Sequence, residues 1–202
     1  MSIVKLNNNG VKNATAFGSI TGLGSMTFIK KLTASSSSTL SFVDGSSSVV
    51  LDNTYKEYLF TFKDIHGSAD SHFGFNGSAD TGSNYNVTKT TTAFEARHEE
   101  DDDPAALGYD TGQDLAQSTS DQVLFWEVDN DADSGASGYL HLFDPSSTTF
   151  VKHFIGQTSG VGNSTTAGNQ YVGGYGNTAS AVDAIQFKMS SGNIDSGTID
   201  MY

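Results

Sequence analysis

The feature that most constrains the fold of this chain is the alternation of apolar and polar residues with a period of two. In the clearest segment, Tyr58, Phe60 and Phe62 point to one side of an extended backbone. Thr61 and Lys63 point to the other side, which is the pattern of a half-buried β-strand. Shorter copies of the pattern occur at residues 73–75, 124–128 and 185–189. No window has the period of an amphipathic helix.

Composition supports the same fold class. The 202 residues include 22 Gly and only 2 Pro, and most of the remaining polar residues are Ser, Thr, Asn and Asp, which favours strands joined by many turns. We expect about ten to twelve strands in one all-β domain. The prediction is a single antiparallel β-sandwich, jelly-roll-like, over residues 26–202, with an extended N-terminal attachment arm at residues 1–25.

Several local predictions refine this outline. Residues 26–29 read as the first strand of the domain. Residues 150–155 have apolar side chains on both faces of an extended backbone, which predicts a strand near the sandwich centre. Residues 156–168 are polar and Gly-rich, which predicts a loop. Residues 105–120 are the least regular stretch, with room for one short turn of helix.

Charge is distributed unevenly along the chain. Ten basic and 23 acidic residues give a net charge of −13, which disfavours nucleic acid and anionic membranes as partners. Residues 1–43 nevertheless contain lysines and no acid. Two interpretations are open: a chance depletion of acids in a polar arm, or a basic arm that docks onto an acidic surface such as a neighbouring copy. The candidate attachment residues are Lys5, Lys12, Lys30 and Lys31.

Cysteine is absent, which excludes disulfides, thiol catalysis and cysteine zinc sites. Residues 1–10 contain no apolar core of a signal peptide, so we expect no secretory signal. No apolar stretch approaches the roughly 18 residues that a membrane-spanning helix needs.

One acidic turn resembles the start of a calcium loop. Asp129, Asp131 and Asp133 alternate, and alternate carboxylates on a tight turn can converge on a hard cation. The glycine, however, stands at the seventh position of the motif, where the sixth is required, and the twelfth position is Leu140. The alternative is an ordinary acidic hairpin turn. Calcium at this turn is the one cofactor considered.

Catalytic signatures are missing from the chain. The five histidines form no HxH or HExxH pattern, and no G-x-S-x-G occurs. A pair of carboxylates for glycoside hydrolysis remains open among the 23 acids, although nothing singles out a pair. We therefore expect a protein that is not an enzyme.

Two tyrosines in a predicted loop, Tyr171 and Tyr175, are candidates for stacking on sugar rings. Trp126 is a weaker candidate, because it alternates with Leu124 and Val128 and is therefore predicted to lie in the core.

Four segments carry a resemblance to a known family. They are MSIVKLNNNG at residues 1–10, AFGSI at 16–20, LFDPSSTTFVK at 142–152 and VDAIQFKMSSGNI at 182–194. In these segments, and in composition over most of its length, the chain resembles small virion structural proteins of tailed phages that infect marine cyanobacteria and related marine bacteria. Members of that family have mostly undefined roles, so the resemblance implies a virion context and assigns no functional residues.

Two functions follow as expectations. The first is an exterior structural protein of the virion, a capsid decoration or head-projecting protein held by its N-terminal arm. Its partners would be capsid or tail subunits and other copies of itself, and it would be assembled in the host cytoplasm. The alternative is a tail-fibre or adhesin module that binds host-surface glycans. An enzyme acting on surface polysaccharide is a third and less supported reading.

Overall fold

The computed structural model describes residues 26–102, 105–162 and 165–202. These residues form a 12-stranded antiparallel sheet and contain no helix. The strands are β1 Lys30–Thr33, β2 Leu40–Val43, β3 Glu57–Gly67, β4 Ser71–Ser78, β5 Lys89–Glu99, β6 Ala105–Tyr109, β7 Gln122–Val128, β8 Ala136–Phe143, β9 Lys152–Gly162, β10 Thr166–Gly176, β11 Ala184–Met189 and β12 Ile194–Met201. In this part of the chain there is thus no helix long and apolar enough to cross a membrane.

The sheet divides into two runs of strands. One run, here called layer A, has the order β1-β12-β3-β8-β9-β10-β5-β6. The other, layer B, has the order β7-β4-β11-β2. A single residue pair, Val128 with Gly162, joins β7 to β9 and links the two layers. The sheet is therefore continuous but folds over at this one point.

Aromatic side chains fill the space between the layers. Phe42 of layer B contacts Phe60 of layer A at a ring distance of 5.3 Å, in edge-to-face geometry. Phe187 lies at the centre of the cluster, fully buried. Its ring contacts Phe42, Phe60, Phe62, Phe73 and Phe75. Each buried Phe of this kind contributes about 1.5–3 kcal/mol from removal of apolar surface from water.

The all-β, antiparallel prediction is confirmed. The two packed layers are parts of one hydrogen-bonded sheet, where a sandwich in the strict sense has two, and the jelly-roll order stays a prediction. The predicted arm at residues 1–25 lies outside the described residues. Trp126 is buried, as predicted, and stacks on Phe125 at 5.8 Å.

The prediction for residues 150–168 was partly wrong. The strand expected at 150–155 is present as the start of β9, which lies inside layer A between β8 and β10, but it is not buried on both faces. Phe150 and Ile155 are 67% and 55% exposed, whereas Phe154 is buried. Apolar side chains thus lie on both faces of this segment, but only one face is buried. The expected loop at 156–168 is instead the hairpin formed by β9 and β10. Glycines suit these strands because the opposite layer packs closely: a Cβ on Gly168 would lie 3.0 Å from the ring of Phe125.

Two further boundaries differ from expectation. The first described strand begins at Lys30, and residues 26–29 precede it with only Ile29 bonded to the sheet, its N–H donating to the Met201 carbonyl at 2.8 Å. Residues 105–120 contain β6 and turns in place of a helical turn. β6 pairs along β5, so its conformation is set by a partner strand and not by its own periodicity.

Candidate binding face

The outward side of layer A carries a set of exposed and half-buried aromatic and amide side chains. On β10, Gln170 and Val172 point inward and are buried, whereas Tyr171 and Tyr175 point outward. The period of two therefore places both predicted sugar-stacking tyrosines on the outward face, where each is half-buried. They stand on a strand, and not in the loop that the sequence predicted.

Strand register aligns several of these side chains in one row. Tyr109 of β6 lies opposite Phe94 of β5, and Phe94 lies opposite Tyr171 of β10. Tyr171 in turn lies opposite Gln157 of β9, which lies opposite Tyr139 of β8. Residues opposite each other in an antiparallel pair share a face, so the row crosses the outward side of five strands.

The first rings of this row stand upright. The rings of Phe94 and Tyr171 are 4.7 Å apart and within 4° of parallel. This distance matches the spacing of adjacent strands, about 4.8 Å, so the two rings face each other across the strands and turn their edges to solvent. One ring face of Tyr171 is thus already occupied by Phe94. Tyr175 is not stacked in this way; its ring lies 6.2 Å from that of His153 at a 59° tilt.

A hydrogen-bonded amide lies at the centre of the row. The Gln157 Nε2 group donates to Asn169 Oδ1 at 3.1 Å and to the Tyr171 hydroxyl at 3.0 Å. The Tyr139 hydroxyl donates to Gln157 Oε1 at 3.2 Å. The Gln157 amide is thereby held in a fixed orientation on the surface, which is the kind of preorganised polar group that recognises hydroxyl-rich ligands.

A cleft of about 380 Å³ opens at the other end of the same face. Its lining residues are Met26, Thr27, Tyr55, Glu57, Leu59, His141 and Tyr202. Glu57 Oε1 and His141 Nδ1 are hydrogen-bonded at 2.5 Å across its wall. The cleft combines aromatic rings, one carboxylate and one imidazole, a mixture suited to a polar ligand with an apolar side.

The acidic turn does not bring its three carboxylates together. Asp129 is buried, and its Oδ1 accepts the Asp131 N–H at 2.8 Å, which stabilises the turn itself. Asp133 is exposed and lines a separate cleft with Asp64 and Asp195. Among the described residues, no three His, Asp or Glu side chains form a group able to hold a metal ion. Calcium binding at Asp129, Asp131 and Asp133 stays a prediction.

The candidate attachment lysines fall into two groups. Lys5 and Lys12 lie outside the described residues. Lys30 and Lys31 lie on β1, at a margin of layer A. Lys30 Nζ donates to the Ser47 carbonyl at 3.1 Å, and Lys31 is exposed. The structure therefore gives two of the four lysines a common place at the edge of the sheet.

Two buried lysines were missed by the sequence reasoning. Lys89 Nζ donates to Asn76 Oδ1 at 2.6 Å and to the Val87 carbonyl at 2.8 Å. Burial lowers the pKa of Lys89 to about 8, and the nearby Asp121 carboxylate partly offsets that effect. Lys152 is also buried and donates to three backbone carbonyls, and burial likewise lowers its pKa. One sequence pattern could have predicted the burial of Lys89. Lys89, Thr91 and Ala93 occupy alternate positions, so Lys89 lies on the inward face of a period-two pattern.

Other members of the face were also missed. Phe94, Tyr109, Tyr139 and Gln157 carry no motif, and only strand pairing brings them together with Tyr171. The comparison of this chain with protein-family models, with curated proteins and with solved structures finds no match.

Proposed function

We propose that the protein is an exterior structural subunit of a tailed-phage virion, a capsid-decorating or head-projecting protein held through residues 1–25. The observation that carries this proposal is the position of β1. In the described chain β1 is the first strand and pairs only with β12, so the first strand of the domain lies at a margin of the sheet. A segment that leaves from a margin can reach a neighbouring subunit without crossing its own domain.

Exposed apolar side chains at this junction support the same reading. Met26 and Phe28 are 53% and 56% exposed. Phe28 packs edge-to-face on Tyr202 at 5.8 Å, so one side of its ring is covered and the rest meets solvent. Covering these two side chains against a neighbour would contribute on the order of 1 kcal/mol each, which adds up over many copies in a particle.

Particle incorporation tests the proposal. Purified virions should contain the full-length protein by mass spectrometry, and labelling should place it on the exterior by electron microscopy. A protein lacking residues 1–25 should keep its far-UV circular dichroism spectrum but fail to enter particles. Full incorporation of the protein lacking residues 1–25 would contradict the role of the arm. Absence of the full-length protein from virions would contradict the proposed structural function.

A charge-reversed pair gives a matched control for the arm. Lys5→Glu with Lys12→Glu should reduce incorporation if the basic arm meets an acidic surface. Lys56→Glu with Lys188→Glu makes the same change in net charge on the body of the domain, and should not reduce it. Equal loss in both pairs would indicate a general charge effect in place of arm docking.

A second candidate function is a tail-fibre or adhesin module that binds host-surface glycans. The fixed Gln157 amide between Tyr139 and Tyr171 favours it. Because the Phe94 and Tyr171 rings turn their edges outward, a sugar would be held by the amide and hydroxyl groups and by the ring of Tyr175, and less by stacking on Tyr171.

A glycan array, read with and without a chelator, tests this second candidate. Binding that is lost in Gln157→Ala and in Tyr175→Ala, and kept in the control Lys188→Ala in layer B, would support it. Loss on chelation would point to the acidic turn at Asp129, Asp131 and Asp133. Absence of glycan binding both with and without the chelator would count against a glycan-binding role. We expect no depolymerisation of the bound polysaccharide.

A further inference from the structure

We propose that copies of this chain associate head to tail, the β1 edge of one copy adding to the β6 edge of the next as a continuing antiparallel sheet. This inference rests on the proposed function, since it names the partner of two surfaces of the virion subunit. It requires two unpaired edges, a compatible strand direction, and charges that select this pairing over the alternatives.

The β6 edge is open and apolar. In the described chain β6 pairs only with β5, and all five of its residues are exposed. Leu107 and Tyr109 are 76% and 55% exposed. Proteins usually protect an edge strand with lysine, proline or a covering segment, and the sequence of β6 contains neither lysine nor proline. An edge with these properties is a template for another strand.

Strand direction permits the pairing without turning a copy over. Neighbouring strands alternate in direction throughout layer A, from β1 at one edge to β6 at the other. Because layer A has an even number of strands, β1 and β6 run in opposite directions. A second copy in the same orientation therefore presents its β1 antiparallel to β6, which continues the alternation.

Charge distinguishes this pairing from the two symmetric ones. The sequence beside β6 is acidic: Glu99, Glu100, Asp101, Asp102 and Asp103 precede the strand, and Asp110 and Asp114 follow it. β1 carries Lys30 and Lys31, with no acid in residues 1–43. Pairing β6 with β6, or β1 with β1, about a two-fold axis would bring like charges together, whereas pairing β1 with β6 brings opposite charges together.

The outward face of layer A would also continue across such a contact. Register places Tyr109 on the outward side with Phe94, and places Lys31 on the outward side with Asp200 and Thr61. The row that now ends at Tyr109 would gain the side chains of Lys31 and Thr33 from the next copy, covering the exposed ring. A head-to-tail contact of this kind closes into a ring or extends as a filament.

Introduced cysteines test the contact without background, because the natural chain has none. Full-length Thr33→Cys and Leu107→Cys proteins, each separate and in an equal mixture, are exposed to a mild oxidant at low ionic strength. The mixture should form disulfide-linked dimers that contain one chain of each kind, and neither protein alone should do so. Thr33→Cys with Tyr109→Cys serves as a second pair, since register decides which positions face each other.

Charge reversal and salt complete the design. Lys30→Glu with Lys31→Glu, added to the Thr33→Cys protein, should abolish the mixed disulfide, while Lys56→Glu with Lys188→Glu should leave it. Raising the salt concentration should reduce its yield.

Three outcomes would overturn the inference: dimers from Leu107→Cys alone, dimers from Thr33→Cys alone, or no disulfide with either cysteine pair. Each of these leaves the proposed function intact if virions contain the protein. Mixed dimers together with absence from virions would instead overturn the proposed function alone.

Discussion

The ring of Phe94 on β5 lies parallel to the ring of Tyr171 on β10, 4.7 Å away, on the exposed side of layer A. Phe94 remains 44% exposed in this arrangement. The pair therefore has two effects. It stabilises the pairing of two long strands, and it shapes the surface available to a ligand or to another copy.

The stacked pair should contribute measurably to stability. We expect the double-mutant cycle of Phe94→Ala and Tyr171→Ala to give a coupling free energy of about 0.5–1.5 kcal/mol, measured by urea unfolding. The control cycle combines Phe94→Ala with Tyr175→Ala, because Tyr175 lies opposite Thr90 and not opposite Phe94. Equal coupling in the two cycles would contradict a specific ring interaction.

Removal of Lys63 should be costly because its partner is buried. Asp200 is 5% exposed, its Oδ2 lies 3.0 Å from Lys63 Nζ, and this contact raises the pKa of Lys63. Lys63→Met should lower the free energy of unfolding by more than Lys56→Met does, since a carboxylate is left buried without its charge partner. Adding Asp200→Asn should recover part of the loss.

The exposed pair of Lys56 and Asp144, also 3.0 Å apart, provides the comparison. Lys56→Met should change the free energy of unfolding by less than about 1 kcal/mol. Chemical denaturation at pH 7 measures the free energy of unfolding of the unsubstituted protein, Lys63→Met, Lys63→Met with Asp200→Asn, and Lys56→Met. An equal effect of the two lysine substitutions would show that the burial of Asp200 does not matter.

Stability should rise with pH between pH 8 and pH 10 because of Lys89. Its pKa falls from 10.5 to about 8 on folding, chiefly through burial, so the unfolded chain binds more protons within this window. The expected gain is about 2 kcal/mol from pH 8 to pH 10, and the contribution becomes flat below about pH 7, where both states are protonated.

Denaturant titrations at several pH values check the role of Lys89. Lys89→Met should remove most of the rise and leave the part that Lys152 contributes through its own lowered pKa, and Lys56→Met should keep the whole rise. Measurements should stop near pH 10, because burial raises the pKa of Tyr58 to about 12 and the folded state then loses stability as the unfolded tyrosine ionises. A slope of stability against pH that is undiminished in Lys89→Met would assign the rise to another group.

Gly197 should not tolerate a side chain. It lies in an irregular stretch of the β12–β3 pairing with a φ of +111°, and a Cβ there would lie 2.9 Å from the Ile65 Cα. Gly197→Ala should therefore destabilise the protein by about 2 kcal/mol or more, from backbone strain and the clash together. Gly108→Ala on β6 is the control, since nothing lies within 4 Å of its added Cβ. Thermal unfolding should give a clearly lower melting temperature for Gly197→Ala than for Gly108→Ala. Similar melting temperatures of the two proteins would exclude the clash.

Sequence patterns succeeded where burial on one side decides the structure. β3 appears where Tyr58, Phe60 and Phe62 alternate, and Trp126 is buried as its spacing predicts. They failed where a strand is stabilised by its neighbours. The Gly-rich residues 156–168 form a hairpin because β9 is held on both sides, by β8 and β10, and the other layer packs on their glycines.

The candidate binding face shows the same division. Tyr171 and Tyr175 were selected by residue type alone, whereas Phe94 and Gln157 had no signal of their own and join Tyr171 only through strand register. The acidic turn illustrates the reverse error: Asp129 is close in sequence to Asp131 and Asp133, yet it is buried and bonded to its own turn.

The sequence by itself determined that this chain is all-β, where most inward positions lie, and that its acids begin only at Asp44. Those are local properties, since alternation, burial preference and charge are carried by each segment. The tertiary structure alone decided which strands are neighbours, that β1 and β6 end opposite sides of layer A, and that Phe94 faces Tyr171. Those are properties of pairing, because hydrogen bonds between strands join residues that are distant in the chain and similar in their own propensities.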